Sequence, residues 1–230
     1  MRDAAGLRAP EFYNVFLSQA NPVLISGLMR RQGWTALEKF RDLAWLKENH
    51  GGACVPVEIG RRSSDGAKGE SRYMLLGDFI TRYLSQQGGM GVGGVGIRGG
   101  EAGENYAGDV AGEGGDVGGD VEGCTTAGGK RKSSELPATA AGVVAYVSQH
   151  SLLHQEPGLQ ECFSVPEHTM GRLAAANAWL GTAGTVTHLH TDQADNLLCQ
   201  VAGYKLVRMY HPDAAPYLYV ENRWGRGCTS

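Results

Sequence analysis

An imidazole and a carboxylate two residues apart, His190 and Asp192, form the most chemically suggestive pair in the chain. In an extended backbone, residues i and i+2 point to the same side. Both side chains can then hold adjacent positions on one metal ion. They make up two-thirds of the two-histidine, one-carboxylate set of non-haem Fe(II) oxygenases, which leaves the opposite metal face open for a co-substrate and O2. The tripeptide alone is common by chance, so its weight comes from its surroundings. Thr187 precedes His190 by three positions, Asn196 follows by six and Lys205 by fifteen. Lys205 sits in a strand pattern, on one face with Val207 and Met209. Pointing inward, it would be costly to bury without an anion. A carboxylate at about 4 Å would offset that by about 4 kcal/mol at an effective dielectric of about 20. With Tyr204 and Leu206 inward instead, Lys205 lies on a solvated face. The alternation does not separate these two cases.

The elements that must position these residues follow from periodicity. Residues 34–47 read as a helix, with Leu37, Phe40, Leu43, Ala44 and Leu46 near one face and Gly51-Gly52 as its stop. Residues 53–59 alternate like a strand. Leu76, Phe79, Ile80, Tyr83 and Leu84 keep the spacing of an amphipathic helix. Later in the chain, residues 143–148, 177–180 and 185–189 read as short strands. Residues 196–201 and 204–210 suit a hairpin turning at Ala202-Gly203. Helices first and short strands afterwards suit a mainly β fold with flanking helices, a β-sandwich or jelly roll.

Of the 35 glycines, about half fall between Gly88 and Gly129. That stretch has almost no large apolar side chains, and it reads as a disordered loop that cannot offset the entropy of ordering. Its Gly-Gly-Asp-Val repeats do not keep the nonapeptide period of a calcium-binding β-roll. The expected organisation is an N-terminal helix-and-strand part over 8–87, a glycine-rich insert over 88–135, a β core with the metal pair over 136–220, and an atypical tail over 221–230. The 230 residues and 42% hydrophobic content suit one larger β domain or two small ones. A net charge of −3 offers no overall basic field for nucleic acid or an anionic membrane. Lys130-Arg131-Lys132 is the one basic cluster, and three such charges are most often solvated. No apolar run approaches the roughly 20 residues of a membrane span, and the start lacks a signal-peptide pattern. Five scattered cysteines without a C-x-x-C argue against a disulfide scaffold or a cysteine zinc site. An intracellular, nuclear or cytoplasmic setting is expected.

Taken in order, Trp179-Leu180-Gly181, Thr185 to Thr187, His190-x-Asp192, Asn196, Gln200-Val201-x-Gly203-x-Lys205 and Tyr210-x-Pro212 resemble the JmjC hydroxylases of the cupin-like branch. Upstream, Pro22 to Ile25, Trp34, Val55 to Glu58, and Tyr146 and Gln149 extend the resemblance over most of the chain outside the insert. The set in order is specific, although no single motif is. The resemblance implies a double-stranded β-helix and Fe(II)- and 2-oxoglutarate-dependent hydroxylation, with a protein as substrate. It implies that His190 and Asp192 bind Fe(II), that Lys205 pairs with the distal carboxylate of 2-oxoglutarate, and that Thr187, Tyr146 and Asn196 add hydrogen bonds to that co-substrate. It also implies a second histidine several strands after Lys205. The 25 residues after Lys205 hold only His211, in an apparent turn, so the jelly roll is expected to be incomplete at the C-terminus. His188 shares a face with His190 and reads as lining or exposed. Two alternatives stay open: a non-catalytic cupin-like binding module, and an RNA or small-molecule oxygenase on the same scaffold. Nothing in the sequence marks a histone-reading module.

Overall fold

The computed structural model describes residues 2–3, 6–61, 70–85, 92–98, 143–192 and 194–218. A short parallel pair, β1 (Arg2–Asp3) with β2 (Ile25–Ser26), lies near the start. The remaining strands are β3 (Cys54–Arg61), β4 (Glu70–Leu75), β5 (Val92–Arg98), β6 (Val143–His150), β7 (Ala175–Gly181) and β8 (Asn196–Ala202). They form one sheet in the order β4-β3-β6-β7-β5-β8, with antiparallel neighbours throughout.

The helices are short. After α1 (Ala9–Glu11) and α2 (Leu28–Arg31), the single helix expected over 34–47 is two, α3 (Ala36–Lys39) and α4 (Leu43–His50). Asp42 restarts it as an N-cap, its carboxylate accepting the Trp45 N–H at 2.9 Å. The helix expected from Leu76 is present as α5 (Leu76–Phe79), which runs into a π-helical turn, Ile80–Leu84. All five residues selected by spacing are buried. After β6 come α6 (Leu152–Gln155) and α7 (Pro157–Gln160). The buried His50 at the end of α4 meets Glu156, between α6 and α7, at 2.9 Å. Among the described residues no helix is long and apolar enough to cross a membrane.

Three expectations need correction. Residues 92–98 of the glycine-rich stretch are strand β5, hydrogen-bonded between β7 and β8; residues 99–135 and the tail lie outside the described residues. Glycine lowers strand propensity but leaves the ladder groups intact, so composition alone gave too strong a reading of disorder. Residues 185–189 form no strand. The chain turns at Gly184, with φ +86°, and Thr185 Oγ1 donates to the Thr182 carbonyl at 2.9 Å, a local bond that competes with a ladder. The second hairpin arm over 204–210 is likewise absent from the sheet. Gly203 turns the chain at φ +71°, and Tyr204 and Leu206 stand 87% and 84% exposed.

The pleat gives the sheet two unlike faces. Val55 and Val57 of β3, Ala145 and Val147 of β6, Ala178 of β7, and Cys199 and Val201 of β8 are buried under Trp34, Leu46, Leu76, Phe79, Ile80, Leu152 and Leu159 from the helices and their connections. Glu58, Tyr146, Trp179, Leu198 and Asn196 alternate with these core positions and occupy the opposite face. Helices cover the first face, and the residues capable of chemistry collect on the second.

Candidate metal and co-substrate site

The sheet register sets where each candidate stands. Tyr146 on β6 is directly opposite Gly181 at the end of β7, and Asn196 on β8 is level, through Arg98 of β5, with Ala175 at the start of β7. Roughly 20 Å of strand separates these levels. The connection from β7 to β8 crosses the open face between them, passing Thr187 first and His190 and Asp192 last. Thr187 and His190 are three residues apart, at most about 10 Å.

At the metal pair, His190 Nδ1 lies 2.8 Å from the His188 carbonyl oxygen. A carbonyl can only accept, so Nδ1 carries the hydrogen and donates. A neutral ring then has its lone pair on Nε2, and Nε2 is 3.8 Å from Asp192 Oδ1. The other carboxylate oxygen, Oδ2, accepts the Asn196 amide at 2.5 Å. Each partner is therefore held from behind, with one donor atom of each turned toward the other. Metal-bound histidines are commonly oriented by a carbonyl on the distal nitrogen in this way. Neighbouring octahedral positions lie roughly 3 Å apart for donors about 2.1 Å from the metal, so a small closing motion brings both onto one ion. The residues fit two protein ligands of a hard or borderline divalent metal. No group of three or more His, Cys, Asp or Glu suited to a metal occurs among the described residues. His211 stands apart, at the N-cap of the 3-10 helix Pro212–Tyr217, 3.3 Å from Asp213. His188 serves through its carbonyl.

At the other level, Tyr146 is held by two features. Gly181 leaves room for its ring: a Cβ there would come within 2.6 Å of Tyr146 Cδ2 and 3.1 Å of Thr185 Oγ1. Its hydroxyl is hydrogen-bonded with Thr187. Burial pushes the phenol up to about 12, against the Thr187 bond and with a smaller contribution from Glu58, so the group is a neutral donor and acceptor at physiological pH. Beneath it Thr182 is 1% exposed and satisfies both backbone groups of Ala145. Its N–H donates to the Ala145 carbonyl at 3.0 Å, and its Oγ1 accepts the Ala145 N–H at 3.1 Å. Lys205 lies on the same side, its Nζ 5.8 Å from the centre of the Trp179 ring. The side chain as a whole is exposed, yet burial at its ammonium end lowers its pKa.

The cupin-like domain matches the chain over residues 9–228. This chain belongs to the cupin-like domain family. Its jelly-roll class agrees with the antiparallel sheet and flanking helices. Curated relatives of this cupin-like domain are JmjC proteins. It is 43% identical to "Lysine-specific demethylase JMJ30" of Arabidopsis thaliana, over 90% of this chain and 36% of that protein. It is 26% identical to "JmjC domain-containing protein F" of Dictyostelium discoideum, over 93% and 43%. It is 27% identical to "Lysine-specific demethylase 8" of Xenopus tropicalis, over 90% and 35%. The cupin-like chain thus spans about two-fifths of the length of these relatives.

Spacing picked out His190, Asp192, Asn196, Thr187 and Lys205, and the family resemblance added Tyr146; all six stand on or beside the open face. It missed three supports: the His188 carbonyl, Thr182, and Gly181 opposite Tyr146. Glycine within a strand does signal a close approach of another group, but only the register says which one.

Proposed function

We propose that this cupin-like domain carries the metal and co-substrate part of a JmjC-type Fe(II)- and 2-oxoglutarate-dependent oxygenase that hydroxylates a protein side chain. The supporting observation is the His190–Asp192 pair, with the Nε2 lone pair facing a carboxylate oxygen at 3.8 Å and both residues braced from behind. Two such donors repel one another unless a proton or a metal ion sits between them. His190 and Asp192 would hold Fe(II). Thr187 and Tyr146 offer hydroxyls, and Lys205 an ammonium, to the two ends of 2-oxoglutarate. Asn196 orients Asp192.

Bound iron supplies activation of O2 in the overall conversion of 2-oxoglutarate, O2 and a C–H bond to succinate, CO2 and a C–OH group. The chain's own part is to fix the metal's open positions, orient the co-substrate and present a face from which the target approaches. The relatives named as lysine-specific demethylases favour a protein substrate. A non-catalytic binding module is the second reading, favoured by the two-donor count among the described residues.

Mn(II), an inert substitute for Fe(II), tests the metal site by the loss of its free-ion paramagnetic resonance signal on binding. Stoichiometric binding that disappears in His190→Ala and Asp192→Ala supports the reading. Equal binding by all three proteins contradicts it.

A further inference from the structure

Lys205 belongs to no strand and, among the described contacts, leans on one group, the Trp179 ring, with its ammonium 5.8 Å from the ring centre. That is within reach of a cation–π attraction, for which indole is the best of the aromatic partners. The ring is itself seated. Gly96 of β5 lies beside it so closely that a Cβ at that position would overlap the six-membered part of the indole. The strand below fixes the ring's height, and the ring fixes the ammonium above it. From the lysine's side the contact matters because the segment carrying it has little else to hold it: Tyr204, Leu206 and Val207 are exposed, the first two almost fully.

We propose that Trp179 is a positioning residue for dicarboxylate binding, holding the Lys205 ammonium over the sheet where the far carboxylate of the co-substrate arrives. This rests on the oxygenase reading of the same site. A lysine has four flexible side-chain bonds, and holding it in place before the ligand arrives removes part of the ordering cost from binding. The indole face attracts the ammonium without neutralising it, so the charge remains available to an incoming anion. A carboxylate partner in place of Trp179 would have competed with the co-substrate for the same charge.

The test compares wild type, Trp179→Phe, Trp179→Leu and Lys205→Ala, each loaded with Mn(II). Two readouts are taken: calorimetric affinity for 2-oxoglutarate, and the proton resonance of the Lys205 ε-methylene in the protein without co-substrate. Lying over an indole, that methylene resonates upfield of an ordinary lysine. The expected result is that the upfield shift disappears in Trp179→Leu and shrinks in Trp179→Phe. Affinity for 2-oxoglutarate falls about fivefold in Trp179→Leu, less in Trp179→Phe and most in Lys205→Ala, with Mn(II) affinity unchanged. An unshifted Lys205 resonance in wild type, or undiminished co-substrate affinity in Trp179→Leu, overturns the positioning role and leaves the oxygenase reading standing. A wild type that binds Mn(II) but no 2-oxoglutarate overturns both.

Discussion

Removing the Thr182 hydroxyl while keeping the side-chain volume isolates one hydrogen bond that joins the core to the site. Thr182→Val leaves the Ala145 N–H without its acceptor. Ala145 is 0% exposed and Thr182 1%, so water cannot substitute. Ala145 directs both backbone groups toward Thr182, and the N–H cannot turn to strand β3 without breaking the ladder. An orphaned buried donor costs about 1–3 kcal/mol, which for a domain of this size lowers Tm by about 2–12 °C. The near-equal volume of valine removes a cavity contribution. Thr182→Ser is the control, because it keeps the acceptor and loses one methyl. Differential scanning fluorimetry on the three proteins gives the ordering wild type, Ser, Val. The same substitution loosens the turn in which the Thr182 carbonyl accepts Thr185 Oγ1. A Thr182→Val protein with unchanged Tm, or a serine variant as unstable as the valine one, would refute the assignment of that bond.

Asp42→Ala removes the cap that starts α4 and costs about 1 kcal/mol, read as a lower midpoint in urea with unchanged slope. Tyr146 has its folded pKa raised to about 12 from the ordinary 10.0, so its contribution is fully present below pH 10 and is lost as the pH rises through 12. Tyr146→Phe therefore shows a smaller loss of stability across that alkaline window than wild type, and an equal loss in both proteins contradicts the shift. His150 is moved the other way, its pKa lowered by burial from 6.5, so its contribution is present above about pH 6.5 and lost as the pH falls. His150→Gln accordingly reduces the acid sensitivity of Tm between pH 6.5 and 5, and a slope matching wild type speaks against it.

Periodicity was a good guide wherever one face of an element meets the core. The five apolar positions of the 76–84 helix are all buried, and β3, β6, β7 and β8 lie over the segments expected for them within a few residues. It misled where local hydrogen bonding or distant pairing decides. Asp42 can end one helix and cap the next, and the apolar spacing on either side does not register that break. Thr185 has a strand-like side chain, yet its hydroxyl bonds to the Thr182 carbonyl and closes a turn. Strand β5 was invisible because its partners lie about 80 to 110 residues away in sequence, and its composition of glycine and valine resembles a flexible linker. The candidate donor atoms were legible in the sequence, and the groups that brace them were not. His190 and Asp192 follow from the two-residue repeat of an extended chain. The carbonyl of His188, the seat that Gly96 makes for Trp179 and the space that Gly181 leaves for Tyr146 depend on register, which a single sequence does not specify.

In the proposed reading, one face of this cupin-like sheet binds a divalent metal and 2-oxoglutarate together through His190, Asp192 and Lys205. The most direct measurement is thermal stability with Mn(II) alone and with Mn(II) plus 2-oxoglutarate, on wild type, His190→Ala and Lys205→Ala. A ligand that binds only the folded chain, present at about a hundred times its Kd, adds about 2.7 kcal/mol, or roughly 5–11 °C at this size. The expected result is a further rise with 2-oxoglutarate that requires the metal in wild type and is lost in both variants, while Lys205→Ala keeps the rise due to Mn(II) alone. A folded wild-type chain whose Tm does not move, or a 2-oxoglutarate shift that survives loss of His190, would contradict it.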